Sequence, residues 1–330
     1  MSFQSVLSIA PLRVSFAGGG SDISSFYEKQ KGAVVSAAIN KYVYVHIKRH
    51  DPLFQERFRI SYSEIEHTQV RRDIKNGVVR SCLELLDIDE PLQISTSADL
   101  PANSGLGSSS SFTVSLLLGL HALRGEEVSP VQIAEEACEV EISFLGSAIG
   151  KQDQYAAAFG GLNYFEFQTN GKVKIEPLYL SKVDMGRLLD RSVLVWTGQS
   201  RKADDILKDQ AGRATENYNH LLELSNLANS LKEHLLQRTL DWSEIGRMIS
   251  QGWEIKQTLS PKIVTPEVQA IASRLEEMGC YGYKLLGAGG GGFMFALIED
   301  PQKAILGSLG SWSTFRPELD HIGARIVSLK

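Results

Sequence analysis

Cysteine is scarce in this 330-residue chain, and Cys82, Cys138 and Cys280 are odd in number and far apart. That spacing argues against a disulfide framework and against a zinc knuckle. The seven histidines show no metal-ligand spacing either. No apolar run reaches the roughly 18 residues that a membrane helix needs. The opening "MSFQSVLSIA" lacks the basic start and long apolar centre of a signal peptide. These absences predict a soluble protein of the reducing cytoplasm with no membrane partner. Positive charge is not in excess: 34 Lys and Arg stand against 39 Asp and Glu, for a net charge of −5. A nucleic-acid partner, which would need a broad basic face, is not expected. Any anionic ligand must therefore be captured by a local site.

With 43% hydrophobic residues, the chain is long enough to bury a large core. Strand signals crowd its first half, at 6–16, 33–50, 57–62 and 92–101, with a short helix between "GGGSD" (18–22) and Gly32. Residues 108–123 are apolar almost all round, as in a helix buried at the centre of a domain. Ser129 and Pro130 start a helix read over 130–145. Strands follow near 162–178 and 192–197, then a mainly helical region from about 202 to 278, then strand, glycine loop and strand over 282–300. His46 and His50 are read as surface residues. The composition shifts near 185–200 without a Pro/Gly/Ser linker, so the chain divides as residues 1–190 and 191–330.

The stretch "PANSGLGSSSS" (101–111) lacks the lysine that a Walker-type loop places after its last glycine. Its physics still suits phosphate. A strand ending at Pro101, then Gly105 and Gly107, then serines opening an apolar helix, aim bare backbone N–H groups and a helix N-terminus at one point. Serine hydroxyls can bond phosphate oxygens or join the shell of a magnesium ion. Taken alone, the stretch is equally an ordinary strand–helix turn in which Ser108 caps the helix.

Three further stretches narrow the choice. In "APLRVSFAGGGSD", Arg13 precedes a glycine turn and Asp22 follows it. In "EISFLGSAIGKQDQYAAAFGG", Asp153 lies twelve residues after Glu141. In "KLLGAGGGG", a strand runs into five glycines among six residues. The combination resembles the GHMP kinases, over nearly the full chain. That resemblance implies an α+β fold of two lobes, a sheet-rich N-terminal lobe like ribosomal S5 domain 2 and a ferredoxin-like α+β C-terminal lobe. It implies ATP and Mg²⁺ as cofactors. Pro101, Asn103, Ser104, Gly105, Leu106, Gly107, Ser108, Ser109 and Ser110 would wrap the ATP phosphates, with Ser108, Ser109 and Glu141 as metal ligands. Asp153 would be the base and Arg13 its cationic neighbour; Gly19, Gly20, Ser21 and Asp22 would grip the sugar. From the residues alone, Arg13 and Asp153 also fit a structural ion pair, and Glu141, among Glu135, Glu136 and Glu139, a solvated helix face.

The stretches over 11–45 and "WTGQSRKADDILKDQ" resemble the heptose-phosphorylating branch of the family. That branch implies transfer to the C1 hydroxyl of a heptose 7-phosphate, for nucleotide-heptose and surface polysaccharide synthesis. A phosphorylated sugar needs a basic anchor, and Arg201 and Lys202 are the candidates. Fucose-type sugars and a non-catalytic sugar and nucleotide sensor are the alternatives. Homo-oligomerisation stays open.

Overall fold

The computed structural model describes residues 3–200, 213 and 216–330. Two sheets organise it. The first is built on a long hairpin of β1 (Ser5–Ala17) and β2 (Gly32–Arg49), joined by the glycine turn and the short helix α1 (Ser24–Tyr27). Most of their residues are buried, because helices pack on the hairpin. The chain then forms β3 (Phe58–Ser61), β4 (Ile65–Thr68), α2 (Gly77–Leu85) and β5 (Leu92–Ala98), and with the C-terminal strand β12 (Arg325–Leu329) the order is β12-β1-β2-β5-β3-β4. The C-terminal half of β2 pairs with β5 and its N-terminal half with β6 (Leu162–Phe167), which in turn pairs with β7 (Val173–Pro177).

The β1–β2 register slips between Pro11 and Leu12. Proline has no N–H for the ladder, so a bulge there is an inexpensive place to bend the strand. Arg13 follows immediately, and its N–H donates to Leu106 O at 3.0 Å.

Helix α3 (Ser108–Arg124) runs through the core with Val114, Leu116, Leu117, Leu120 and Leu123 all fully buried. Beside it lie α4 (Pro130–Cys138), which starts at the Ser129 cap, and α5 (Gln152–Phe159). The helix read over 130–145 holds its α-form only to Cys138; residues 139–144 widen into a π-helical turn. After α6 (Lys182–Asp190) the second sheet begins. Strand β8 (Ser192–Trp196) is followed by α7 (Tyr218–Leu235), α8 (Trp242–Thr258) and α9 (Pro266–Glu277). Then come β9 (Gly282–Leu285), β10 (Phe293–Leu297), α10 (Pro301–Leu306) and β11 (Thr314–Phe315). The order β11-β8-β10-β9, all antiparallel, is the ferredoxin-like arrangement of two interleaved βαβ units. The last strand, β12 (Arg325–Leu329), leaves that sheet and pairs with β1. The fold is thus α+β, sheet-rich at the N-terminus.

His46 is exposed, but His50 is not the surface residue that its sequence context suggests. It is buried at the end of β2, its ring stacked 4.3 Å from that of Phe54, because the loop after β2 folds back over it. The three cysteines are free. Among the described residues, no helix is long and apolar enough to cross a membrane.

Candidate active site

A cleft of about 470 Å³ opens where the two sheets meet, between the glycine turn after β1, the loop before α3, the N-terminus of α5 and the glycine loop after β9. Positive φ angles at Asn103, Gly105 and Gly107 (57°, 81° and 80°) curl the loop before α3. Glycine reaches that region at little cost. Gly107 itself caps α3 and no side chain serves as cap, so Ser108 is not the capping residue that the turn alone allows. Leu106 is fully buried, and the roughly 2 kcal/mol of its burial pins the loop to the core.

From the other sheet, "GAGGGG" presses on the same loop. A Cβ on Gly105 would stand 2.8 Å from Leu286 O, and one on Gly287 would stand 2.5 Å from Gly105 Cα. Phe293 N donates to Ser104 O at 3.1 Å. The two glycine loops therefore touch backbone to backbone, which any side chain would prevent.

Arg13 and Asp153 are 140 residues apart in sequence and form a bidentate fork. Nε reaches Oδ1 and Nη2 reaches Oδ2, each at 2.7 Å, while Nη1 donates to Gly105 O at 2.7 Å. Such planar pairing fixes orientation as well as charge. Arg13 is buried and Asp153 only partly so, with its carboxylate beside Gly107. Asp22 lies alongside, 2% exposed, accepting from the backbone N–H of Gly20 at 2.9 Å and of Gln152 at 3.1 Å. Burial raises the Asp22 carboxyl above its ordinary range; the two backbone donors oppose that and the Asp153 charge adds to it.

Glu141 sits in the π-helical turn. It continues the buried stripe of Ile133, Ala134, Ala137 and Cys138, so helical phase turns it inward while Glu135 and Glu139 face solvent. The solvated-face alternative is thereby removed. π-turns are often found at functional sites. Ser109 Oγ donates to Oε1 at 2.8 Å and Gln154 Nε2 to Oε2 at 2.7 Å. Burial raises the Glu141 carboxyl, and these neutral donors only partly offset it. Among the described residues no cation lies within ion-pair reach of Glu141.

The structure thus brings Arg13, Gly19, Gly20, Asp22, Asn103, Gly105, Gly107, Ser108, Ser109, Ser110, Glu141 and Asp153 to one cleft. Pro101 is exposed outside it, whereas Ser104 and Leu106 lie buried behind the loop. Ser21 also faces inward, donating to Gly18 O at 2.8 Å and thereby holding the turn. Arg201 and Lys202 lie outside the described residues. Ser15, Gln152, Lys256 and Lys284 are among the cleft side chains that were not found from the sequence. A lysine at position 284 in the otherwise apolar strand "YKLL", and one at 256 in the buried stripe of Ile245, Ile249 and Trp253, were the available signals. For Ser15 and Gln152 there was none.

Comparison with known proteins gives this geometry a context. The GHMP kinases N terminal domain matches residues 74–161, and the GHMP kinases C terminal domain matches residues 231–309. The D-glycero-alpha-D-manno-heptose 7-phosphate kinase of Campylobacter jejuni is 32% identical over 304 residues, 89% of each chain. The chain belongs to the GHMP kinase family. A crystal structure of a D-glycero-D-manno-heptose 1-phosphate kinase from Bacteroides thetaiotaomicron matches with a TM-score of 0.80 at 26% identity, covering 98% of this chain and 99% of that one. Lactococcus lactis galactokinase in complex with galactose, at 16% identity and a TM-score of 0.77 over 98% of this chain and 95% of that one, shares the fold. This GHMP kinase is an ATP-dependent sugar kinase.

Proposed function

We propose that the cleft transfers the γ-phosphoryl group of ATP to the C1 hydroxyl of a heptose 7-phosphate, giving the 1,7-bisphosphate. The observation that carries this is the Arg13–Asp153 fork, held at the mouth of the glycine loop beside the N-terminus of α3. The backbone N–H groups there, with Asn103, Gly105, Gly107 and Ser110, would hold the ATP phosphates. Phosphoryl transfer asks chiefly for positioning and charge neutralisation. Asp153 takes the proton of the attacking hydroxyl, the hydroxyl oxygen bonds to the γ-phosphorus, and the bond to the bridging oxygen breaks to release ADP. Arg13 keeps the carboxylate aimed and offsets charge on the group in transit. An anomeric hydroxyl is more acidic than an ordinary alcohol, so a carboxylate suffices as base.

The residues present fit Mg²⁺. Glu141 is a buried carboxylate with no counter-ion among the described residues, bonded by Ser109 and lining the same cleft as Ser108, and carboxylate plus hydroxyl oxygen suits a hard cation shared with substrate phosphates. Glu141, Ser108 and Ser109 would hold it; when bound it supplies neutralising charge to the phosphates.

For the sugar, Asp22 and the N–H groups of Gly19 and Gly20 offer hydrogen bonds. Ser15 Oγ and Gln152 Oε1 line the cleft without partners among the described residues and add two more positions for sugar hydroxyls. Heptose is favoured over other sugars because the relative at 32% identity is named as a heptose 7-phosphate kinase. We place the boundary between the lobes near residue 190, with the last strand returning to the first lobe, and the protein in the cytoplasm. Coupled ADP release with Mg-ATP tests the reaction across heptose 7-phosphate, heptose 1-phosphate, heptose, fucose and galactose. Selective turnover of heptose 7-phosphate is expected. Turnover only of heptose 1-phosphate refutes the C1 assignment, and silence on all five with ATP still bound favours the sensor.

A further inference from the structure

Lys256 on α8 and Lys284 on β9 both reach the cleft from the second sheet and its helices. Lys284 is 6% exposed and donates to Phe16 O at 3.2 Å, at the end of β1 just before the glycine turn. Lys256 Nζ donates to Gly287 O, the residue whose Cα rests on Gly105. An ammonium has three donors. Among the described residues each lysine therefore uses one on a neutral carbonyl and leaves two. Among the described residues, no carboxylate lies within ion-pair distance of either. Arg13, the third cation of this wall, is already matched by Asp153 and Gly105 O.

A buried ammonium without a counter-ion is costly, and the cost is recovered when an anion arrives to pair with it. Burial first, and repulsion from Arg13 second, hold the Lys256 amine down to about 8. Burial and the charges of Lys256 and Arg13 lower Lys284 as well. Both amines stand between the phosphate loop and the glycine turn, where a donor and an acceptor would meet, near the charges of Asp22 and Asp153 but with neither carboxylate within ion-pair distance.

We propose that Lys256 and Lys284 form an anion subsite that takes phosphoryl oxygens inside the cleft, a role that rests on the kinase reading only for the source of the phosphate. That source is either the acceptor's own phosphate ester or the group in transit. This assigns the anchoring task to the described wall of the cleft.

The test measures equilibrium binding of radiolabelled inorganic phosphate at pH 7 to the full chain, its Lys256→Met and Lys284→Met variants, and Lys256→Arg. Circular dichroism and thermal unfolding check the fold. Each Met variant should lose at least tenfold in phosphate affinity while melting no lower than wild type, because an unpaired buried charge has been removed. Lys256→Arg, which keeps the charge, should retain most of the binding. Should a Met variant not fold, the same comparison with Lys256→Gln replaces it. Phosphate affinity unchanged in both folded variants overturns the proposal, whatever the chain phosphorylates. Steady-state kinetics then separates the sources. A rise of KM for a phosphorylated sugar but not for its unphosphorylated form identifies the acceptor's phosphate; a fall of kcat with both identifies the group in transit. If the wild type turns over no sugar of the panel yet the variants lose phosphate binding, the proposed heptose reaction falls and the anion subsite stands.

Discussion

Gly150 carries no reactive group, yet replacing it with alanine should disable the acceptor side of the cleft. Its φ lies outside the left-handed region, so the backbone accepts alanine. The new Cβ, however, would stand 1.8 Å from Asp22 Oδ2 and 2.2 Å from Cγ. Ordinary van der Waals contact needs about 3.5 Å between such atoms, so the carboxylate must move by well over an ångström. It is 2% exposed and held by Gly20 N at 2.9 Å and Gln152 N at 3.1 Å. Hydrogen bonds to a charged group contribute about 1.5–3 kcal/mol each, and losing one to two of them costs about 3 kcal/mol. For a chain of this size that lowers the melting temperature by roughly 5 °C. KM for the sugar should rise about tenfold or more, a change of at least ~1.4 kcal/mol, while ATP binding is unchanged. Thermal unfolding and coupled ADP release measure both. The same alanine in an Asp22→Gly background should have little further effect, since the two changes act through one contact. A Gly150→Ala protein with wild-type melting and sugar KM would refute the steric account.

Asp153→Asn should cut kcat by roughly 10²–10⁴, the usual contribution of a positioned base, with ATP affinity retained by isothermal titration; near-wild-type turnover removes Asp153 from that role. His121 is clasped between Glu126 at 2.7 Å and Glu136 at 2.8 Å. Burial alone would lower its imidazole, but the two carboxylates carry it above its ordinary value. A raised folded-state value means that the stabilisation is whole below about pH 6.5 and is lost as pH climbs through that raised value. The stability gap between wild type and His121→Gln, measured by urea unfolding, should therefore shrink from pH 6 to pH 9; a constant gap rejects the clasp. Phosphate binding should weaken as pH rises past about 8, where Lys256, faced by Arg13, Lys284, Asp22 and Asp153, gives up its proton. Binding unchanged between pH 7 and pH 9.5 excludes that amine from the subsite.

Much of the site was legible because its requirements are local. A bare N–H cluster needs glycines and a helix start within a few residues, so "SGLGSSSS" announces it wherever it folds. Helical phase was also present in the sequence for Glu141: spacing from Ile133, Ala134, Ala137 and Cys138 turns it inward, although its acidic neighbours suggested a solvated face. Three strands of the second sheet, β8, β9 and β10, followed from strand, helix and strand signals in order, whereas the two-residue β11 did not. Elements without strong periodicity, such as β4, α6 and β12, left no comparable trace.

The sequence by itself determined which segments can bend, which must be buried and where bare backbone N–H groups can cluster, because propensity, glycine freedom and apolar period act over a few neighbouring residues. Only the tertiary structure decided which of them meet. The fork between Arg13 and Asp153, the contact of Gly150 with Asp22 and the convergence of Lys256 and Lys284 all join positions far apart in the chain. Their partners are chosen by how helices and loops pack on the sheets, and no local pattern records that choice.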